Sequence, residues 1–253
     1  MVDGHKSEAA AVASGVPQGT VLGPLLFLLF INDLPAEISP GTRIRLFADD
    51  CLIYRPIHST EDQLTLQHDI SKLVAWADRW GMCFNASKCN VMRTLGGIHS
   101  ERFYHMGGHV LMEVSHAKYL GVTLSSGQTW DRHIDSVVSR ANQKLGFIRR
   151  NLRGAPQRSK TMAYFTLVRS GMEYAAPIWD PYLRKNIDAI EKVQRKAARW
   201  VKSQYSYETS VTNLMKDLKW ASVADRRRDQ KLCLFHKIHI GALKLTFSDF
   251  GLS

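Results

Sequence analysis

The chain has 253 residues, 45% of them hydrophobic and 23% charged, a composition that excludes an intrinsically disordered protein. That length suits one large domain or two small ones. The formal net charge of +11 points to a polyanionic partner. The charge is unevenly spread. Residues 1–120 hold 10 Lys and Arg against 12 Asp and Glu, a net of −2, whereas residues 121–253 hold 24 against 11, a net of +13. Cys51, Cys83, Cys89 and Cys233 lack a C-x-x-C spacing and the density of a secreted scaffold, so a reducing, intracellular compartment is expected. Met1 to Lys6 contains no apolar signal core. The most apolar stretch, Val21 to Ile31, has 11 residues. A membrane-crossing helix needs about 20, so this segment is expected to be a buried core helix, and no membrane partner is expected.

In chain order, Gly15-Val16-Pro17-Gln18-Gly19-Thr20 is a turn-rich entry to that helix, with Thr20 able to cap it. Arg43 to Tyr54 then reads as an apolar strand, an acidic turn and a second apolar strand, a β-hairpin with two carboxylates at its tip. A helix follows: Ser59 can cap it with Asp62 three residues on, Leu66, Ile70, Leu73, Val74 and Ala77 keep helical spacing, and Gly81 stops it. Residues 89–93 and 117–124 read as short strands around a glycine-containing loop. From about residue 130 only helices are expected: one with the stripe Ile134, Val137, Val138, Ala141, Leu145 and Ile148, one with Ile190, Val193, Ala197 and Val201, and one over Ser222 to Ile240. The chain therefore reads as α+β over residues 1–125 and all-helical over residues 126–253, and the change of pattern coincides with the change of charge.

Asp49-Asp50 is the first candidate for chemistry, because adjacent carboxylates on a tight hairpin suit hard divalent cations. By itself the dipeptide is also an ordinary turn. Its setting narrows the choice. Ser14-Gly15-Val16-Pro17-Gln18-Gly19-Thr20-Val21-Leu22-Gly23-Pro24-Leu25-Leu26-Phe27, followed by Phe47-Ala48-Asp49-Asp50, closely resembles two consecutive signature motifs of the reverse transcriptases of non-LTR, LINE-type (jockey-like) retrotransposons. Trp80 to Cys89 resembles the next motif of that family, with Asn85 and Lys88 in place, and Lys118-Tyr119-Leu120-Gly121-Val122 resembles the hairpin that grips the primer end. Arg169 to Trp179 and Ile190 to Arg199 look like the thumb and adjoining connection.

The resemblance implies a partial palm, an antiparallel sheet with helices, followed by a helical, basic thumb and connection region. It implies RNA-directed DNA polymerase activity with an RNA template, a DNA primer, deoxynucleoside triphosphates and Mg²⁺ (or Mn²⁺), acting in the nucleus. It assigns Asp49 and Asp50 as metal-binding catalytic carboxylates and Lys88 as a residue near the triphosphate, able to protonate departing pyrophosphate. Pro17, Gln18, Gly19, Phe47 and Ala48 would line template and nucleotide, and Tyr119, Leu120 and Gly121 would form the primer grip. Lys192, Arg195, Lys196 and Arg199 make a basic stripe opposite the apolar one, suited to backbone phosphates, and Arg226-Arg227-Arg228 adds a cluster.

The family has a further catalytic aspartate and a fingers region upstream of the Gly15–Thr20 block, and Asp3 does not correspond to that aspartate. The chain is thus expected to be an incomplete catalytic unit, with exposed apolar surface that invites pairing. The other reading is a non-catalytic, basic nucleic-acid-binding module working through the region after residue 125. Cys233, His236 and His239 offer only three ligands where a structural zinc needs four. Trp76 and Trp80 are expected in the core.

Overall fold

The computed structural model describes residues 15, 19–94 and 103–243. The Pro17 and Gln18 candidates, and the segment before Gly15, lie outside them. The chain divides into two compact units, residues 1–114 and 115–253. The described architecture is mixed, with small two-stranded sheets among helices.

The first unit begins with α1 (Leu22–Phe30), where the Gly23 N–H donates to Thr20 Oγ1 at 3.0 Å. The hairpin is formed by β1 (Arg43–Phe47) and β2 (Asp50–Tyr54), paired antiparallel from Arg43↔Tyr54 to Phe47↔Asp50. Along β1, Ile44 and Leu46 turn to the core while Arg43, Arg45 and Phe47 face outward, the two-residue alternation of a half-buried strand. Then comes α2 (Thr60–Arg79). Its Ser59 cap forms the full capping box: the Ser59 side chain accepts the Asp62 N–H, and the Asp62 carboxylate accepts the Ser59 N–H. Beyond it, β3 (Asn90–Val91) pairs parallel with β6 (Met112–Glu113), and β4 (His105–Met106) pairs with β5 (His109–Val110).

Helix α2 is the platform of this unit. Leu73, Trp76 and Ala77 pack with Ile31, Leu34 and Ile44. Polar side chains of the same helix tie down the chain that leads into and out of the hairpin. Ser39-Pro40-Gly41-Thr42 is a turn closed by the Thr42 N–H to Ser39 O at 3.1 Å, with proline second and a positive-φ glycine third (+87°), the pattern of a type II turn. Asp69, fully buried, accepts hydrogen bonds from the Ser39 N–H (3.0 Å), the Ser39 hydroxyl (2.7 Å) and the Thr42 hydroxyl (2.6 Å), with Lys72 at 3.7 Å. Seven residues earlier, Asp62 pairs with Arg55 at the exit of β2, and Arg55 also donates to Pro40 O at 2.8 Å. Seven residues later, Trp76 Nε1 donates to Asp33 at 3.1 Å. Arg79 pairs with Glu37.

Helix α1 departs from expectation. Gly23 is its buried residue and Phe27 packs on the core, but Leu22, Leu25, Leu28 and Leu29 are exposed, Leu29 at 74%. The segment is a helix but not a buried one. It is apolar on every side, and the residues of this unit pack against the side of Phe27 and Ile31. Trp76 is in the core as expected, whereas Trp80 is 49% exposed, its ring edge-on to Phe30 at 5.4 Å.

The second unit opens with the hairpin β7 (His116–Tyr119) and β8 (Val122–Ser125), so that hairpin groups with the helices, although the sequence pattern changes at residue 125. Next are α3 (Asp131–Asn151), then α4 (Gln157–Ala163), a π-helical turn (Tyr164–Arg169) and α5 (Ser170–Glu173) in continuous succession, then α6 (Ala176–Trp179) and α7 (Arg184–Lys202). Finally α8 (Val211–Asp217) precedes α9 (Val223–His239), which Ser222 caps through the Asp225 N–H at 2.9 Å. The expected apolar stripes are buried: Ile134, Val137, Ala141, Leu145 and Ile148 of α3 pack with Ile190, Val193, Ala197 and Val201 of α7. A polar chain runs through the core, Tyr164 Oη to Gln194 Oε1 (3.0 Å) and Gln194 Nε2 to Ala221 O (2.9 Å), which joins the π-helical turn, α7 and the entry to α9.

Helices α3 and α7 run parallel, as three cross-links at nearly constant offset require. Asp131 meets Lys185 (2.8 Å) and Asn186 (2.6 Å) at the N-terminal ends, Asn142 meets Lys196 (3.2 Å) midway, and Arg149 lies over the Tyr205 ring at 5.9 Å just past the end of α7.

Replacing Asp69 by Ala leaves the half-buried Ser39 donors and the buried Thr42 hydroxyl without this acceptor. It is expected to destabilise the first unit by about 3 kcal/mol, read from urea unfolding of the variant against the wild type. The hydrogen bonds from the His58 backbone N–H, the Ser59 hydroxyl and Arg55 hold the Asp62 carboxyl down to about 2. Burial pushes Asp69 upward, but the bonds from Thr42 and Ser39 and the Lys72 charge outweigh it and leave it below its ordinary value. Both carboxylates therefore stabilise the fold at pH values above the carboxylate value of the unfolded chain, and that contribution is lost as pH falls below about 4, for Asp62 toward about 2. Amide-exchange protection factors in residues 39–70, which divide out the intrinsic pH dependence of exchange, should fall across that window, and the Asp62→Asn variant should show a weaker pH dependence.

Candidate functional site

The β1–β2 hairpin closes with only Ala48 and Asp49 between the paired Phe47 and Asp50. Two-residue loops match strand twist when the first loop residue takes a positive φ, a position where glycine is usual. Here Ala48 takes it, at +50°. Left-handed backbone at a residue with a Cβ is costly, and persists where its surroundings hold it. The hold comes from below, where Asp69 through Thr42 anchors the entry of β1 and Asp62 through Arg55 anchors the exit of β2. The tip thus carries Asp49 in the turn and Asp50 at the first strand position, both exposed. Asp50 shares the outer face with its cross-strand partner Phe47, which is 62% exposed. Among the described residues neither carboxylate takes an ion pair.

Cys51 lies behind this tip. Burial, and then the nearby Cys89 thiol, raise its pKa to about 11, so it is a neutral, packed thiol that contacts the Ile44–Trp76 core. Cys89 follows the short 3-10 turn Ala86–Lys88. Lys88 ends that turn, immediately before Cys89, and is exposed. No hydrogen bond or ion pair joins Lys88 to Asp49 or Asp50. Gly19 is exposed with φ +80°, a conformation few other residues adopt, and nothing lies where its Cβ would be.

Two oxygen donors side by side, exposed and without a competing cation, fit a hard divalent ion, which takes one or two carboxylates and fills its sphere with phosphate oxygens and water. Among the described residues no group of three or more His, Cys, Asp or Glu side chains is arranged to hold a metal, so the pair has no third carboxylate there.

In the second unit, the β7–β8 hairpin turns at Leu120 (φ +45°) and Gly121 (φ +82°), both left-handed as a tight two-residue turn requires. Sequence reasoning missed what holds this tip. Tyr174 Oη donates to Leu120 O at 3.0 Å, and its ring lies so close that a Cβ on Gly121 would sit 3.1 Å from Tyr174 Cε1. Tyr174 is itself fixed: its carbonyl accepts Trp179 Nε1 at 2.8 Å, and the preceding Glu173 is clamped by both ends of the Arg226 guanidinium. Another missed residue is His133, whose Nδ1 accepts the Thr123 N–H at 3.2 Å while its ring packs edge-on to Trp179. Burial, with Arg140 nearby, keeps its pKa below the ordinary value.

The basic candidates divide. Lys192, Arg195 and Lys196 are exposed on α7, with Lys196 touching Asn142. Arg199 instead serves its own neighbourhood, donating to Ser206 O (2.8 Å) and Thr209 O (3.1 Å) and so shaping the loop after α7. The Arg226-Arg227-Arg228 cluster is not an open basic surface. Arg226 is engaged by Glu173, Arg227 is buried against Asp180 at 2.7 Å, and only Arg228 faces solvent, beside Asp225. Lys231 reaches Asp180 as well, at 2.6 Å, so these cations lock α9 onto α5 and α6.

Comparison with known proteins agrees with the motif order. A family model, reverse transcriptase (RNA-dependent DNA polymerase), matches residues 1–124. A probable RNA-directed DNA polymerase from transposon BS of Drosophila melanogaster is 30% identical over 227 residues, covering 84% of this chain and 25% of that protein. The corresponding probable polymerase from transposon X-element of the same organism is 29% identical over 227 residues, covering 85% and 24%. The RNA-directed DNA polymerase from mobile element jockey of Drosophila melanogaster is 26% identical over 238 residues, covering 89% and 26%. No solved structure matches. The chain spans about a quarter of the length of these relatives. The hairpin carrying Asp49 and Asp50 lies inside the matched region, and the relatives extend the similarity through the helical unit, so the chain belongs to the reverse transcriptase family of non-LTR, jockey-like retrotransposons.

Proposed function

We propose that this chain carries part of an RNA-directed DNA polymerase, with residues 1–125 as partial palm and residues 126–253 as thumb and connection. The observation that carries the reading is the Asp49–Asp50 pair, displayed on a two-residue hairpin whose arms are both anchored to α2. Asp49 and Asp50 would hold Mg²⁺ or Mn²⁺, which when bound supplies charge stabilisation for the attacking and leaving oxygens of nucleotidyl transfer. The chain's own contributions are then positional. Phe47 and Ala48 present an apolar surface beside the incoming deoxynucleoside triphosphate, and Pro17, Gln18 and Gly19 lie against it and the RNA template. Lys88 places a proton donor near the departing pyrophosphate. Tyr119, Leu120 and Gly121 hold the DNA primer end. Lys192, Arg195 and Lys196 neutralise backbone phosphates, while Arg199 acts through the loop it shapes. Action on chromosomal DNA in the nucleus belongs to the same reading.

The second reading, a nucleic-acid-binding module that does no chemistry, is favoured by the concentration of positive charge in the helical unit. The two separate in one experiment, Mg²⁺-dependent extension of a DNA primer on an RNA template by the wild type and by the Asp49→Asn/Asp50→Asn double variant. Where the chain supplies a working site, the wild type extends, the double variant loses extension by at least about 10³-fold, and both bind the duplex equally. Equal extension by the two proteins refutes the role of the pair, and binding without extension by either is the outcome of an incomplete site and leaves binding as the function of this chain.

The hairpin of the second unit gives a further check. Gly121→Ala puts a Cβ into the left-handed turn and against the Tyr174 ring. The unit is expected to lose about 1–2 kcal/mol in thermal unfolding. Tyr174→Phe, which removes only the bond to Leu120 O, should cost less in stability and loosen primer–template binding, measured by anisotropy.

A further inference from the structure

From Ser136 to Met172 the chain contains eight Lys and Arg and no Asp or Glu, and from Lys192 to Tyr207 it contains five and again none. The parallel packing of α3 and α7 brings the C-terminal ends of these two acid-free stretches together, since Arg149 near the end of α3 lies over Tyr205 just beyond α7. Buried Lys160 of α4 adds the third element to the same end, donating to Ser203 Oγ at 3.1 Å and facing the Trp200 ring at 5.9 Å. Arg150 and Arg153 at the end of α3 and Arg158 in the first turn of α4 are exposed and take no ion pair among the described residues. The loop after α7 lies at the same end, where Arg149 meets Tyr205. Arg199 grips this loop by the carbonyls of Ser206 and Thr209, and so displays the residues on either side of Ser206. Those residues are Tyr205, 57% exposed, and Tyr207, fully exposed. Lys202 is paired with Asp217, and Glu208 marks the acidic edge of the surface.

Two aromatic rings are thus displayed on a loop held from within, Tyr205 touching Arg149 and Tyr207 fully exposed. Set in a cationic surface, they match what an unpaired strand offers: phosphates for the guanidinium groups and open base faces for the rings. A duplex hides its base faces, and an acidic protein lacks them. We infer that the end of the helical unit formed by Arg149, Arg150, Arg153, Arg158, Tyr205 and Tyr207 is a binding site for single-stranded nucleic acid, distinct from the exposed α7 stripe proposed above for duplex phosphates. The site works whether or not Asp49 and Asp50 support polymerisation.

The test is fluorescence anisotropy with the full chain, using labelled dT15 and rU15 single strands, a 15-base-pair duplex, and polyphosphate as a base-free competitor. The Tyr205→Ala/Tyr207→Ala variant should bind both single strands about tenfold or more weakly. Its duplex affinity and its sensitivity to polyphosphate should stay near wild type, and the Tyr205→Phe/Tyr207→Phe variant should restore single-strand binding. The Arg150→Gln/Arg153→Gln/Arg158→Gln variant should reduce the slope of log K against log salt by about 2 for single strands. Loss with dT15 alone, or with rU15 alone, would support the site and assign it to that sugar. The proposal is overturned if the tyrosine variant binds single strands like the wild type, or loses duplex and single strand equally. It is also overturned if that variant's affinity for polyphosphate falls in parallel, since polyphosphate has no bases to stack. The Asp49→Asn/Asp50→Asn protein should bind dT15 normally, which separates failure here from failure of the polymerase reading.

Discussion

The carboxylate of Asp69, without solvent exposure at the middle of α2, holds the Ser39–Thr42 turn by three hydrogen bonds, and the placement of the hairpin follows from it. A buried charge is tolerable only when its lone pairs are filled, so the turn and the helix need one another. Asp62, two helical turns earlier, does the same for the far arm through Arg55, and Trp76, two turns later, reaches Asp33. Positions seven apart return to nearly the same side of a helix, so one face of α2 holds the start, the end and the approach of the strands. The exposed pair Asp49 and Asp50 stands at the unsupported end of a ribbon whose other end is fastened twice. This lets a left-handed Ala48 persist where glycine would be easier.

The helical unit solves a different problem, how a chain with so many cations packs at all. Part of its charge is consumed internally. Asp180 takes Arg227 and Lys231, Glu173 takes Arg226, and Asp131 takes Lys185. The acids of this unit are few, and Asp131, Glu173 and Asp180 among them join elements. What remains unpaired gathers on α3, α4 and α7, where the sequence holds no acid for long stretches. The basic surface is thus what is left after the internal pairs are made, and it is smaller and better defined than the net charge implies.

Much of the local structure was legible beforehand. Ser59 with Asp62 and Ser222 with Asp225 mark helix starts by chemistry confined to four residues. The β1–β2 pairing follows from alternation around a short acidic turn, and the apolar stripes of α3 and α7 are buried as their spacing requires. The misreadings share one cause. Val21–Ile31 was expected inside because it is apolar, but burial needs a partner surface on each apolar side, and the described residues of its own unit supply one. Arg226-Arg227-Arg228 looked like a phosphate-binding cluster because its acids, Glu173 and Asp180, lie about fifty residues away in the chain. Tyr174 gave no local sign of its grip on Leu120 for the same reason.

By itself, then, the sequence determined the family, the acidic hairpin, the starts of α2 and α9 and the basic bias of the second half. Each of these is written in contiguous motifs, in periodicity or in simple composition. Only the tertiary structure decided which cations face solvent, which carboxylate carries the hairpin, and which tyrosines are displayed rather than packed. The first two depend on pairs of groups far apart in the chain, such as Asp69 with Ser39 and Arg226 with Glu173. Whether such a pair meets is set by how the helices pack, and the residues around either partner do not record it.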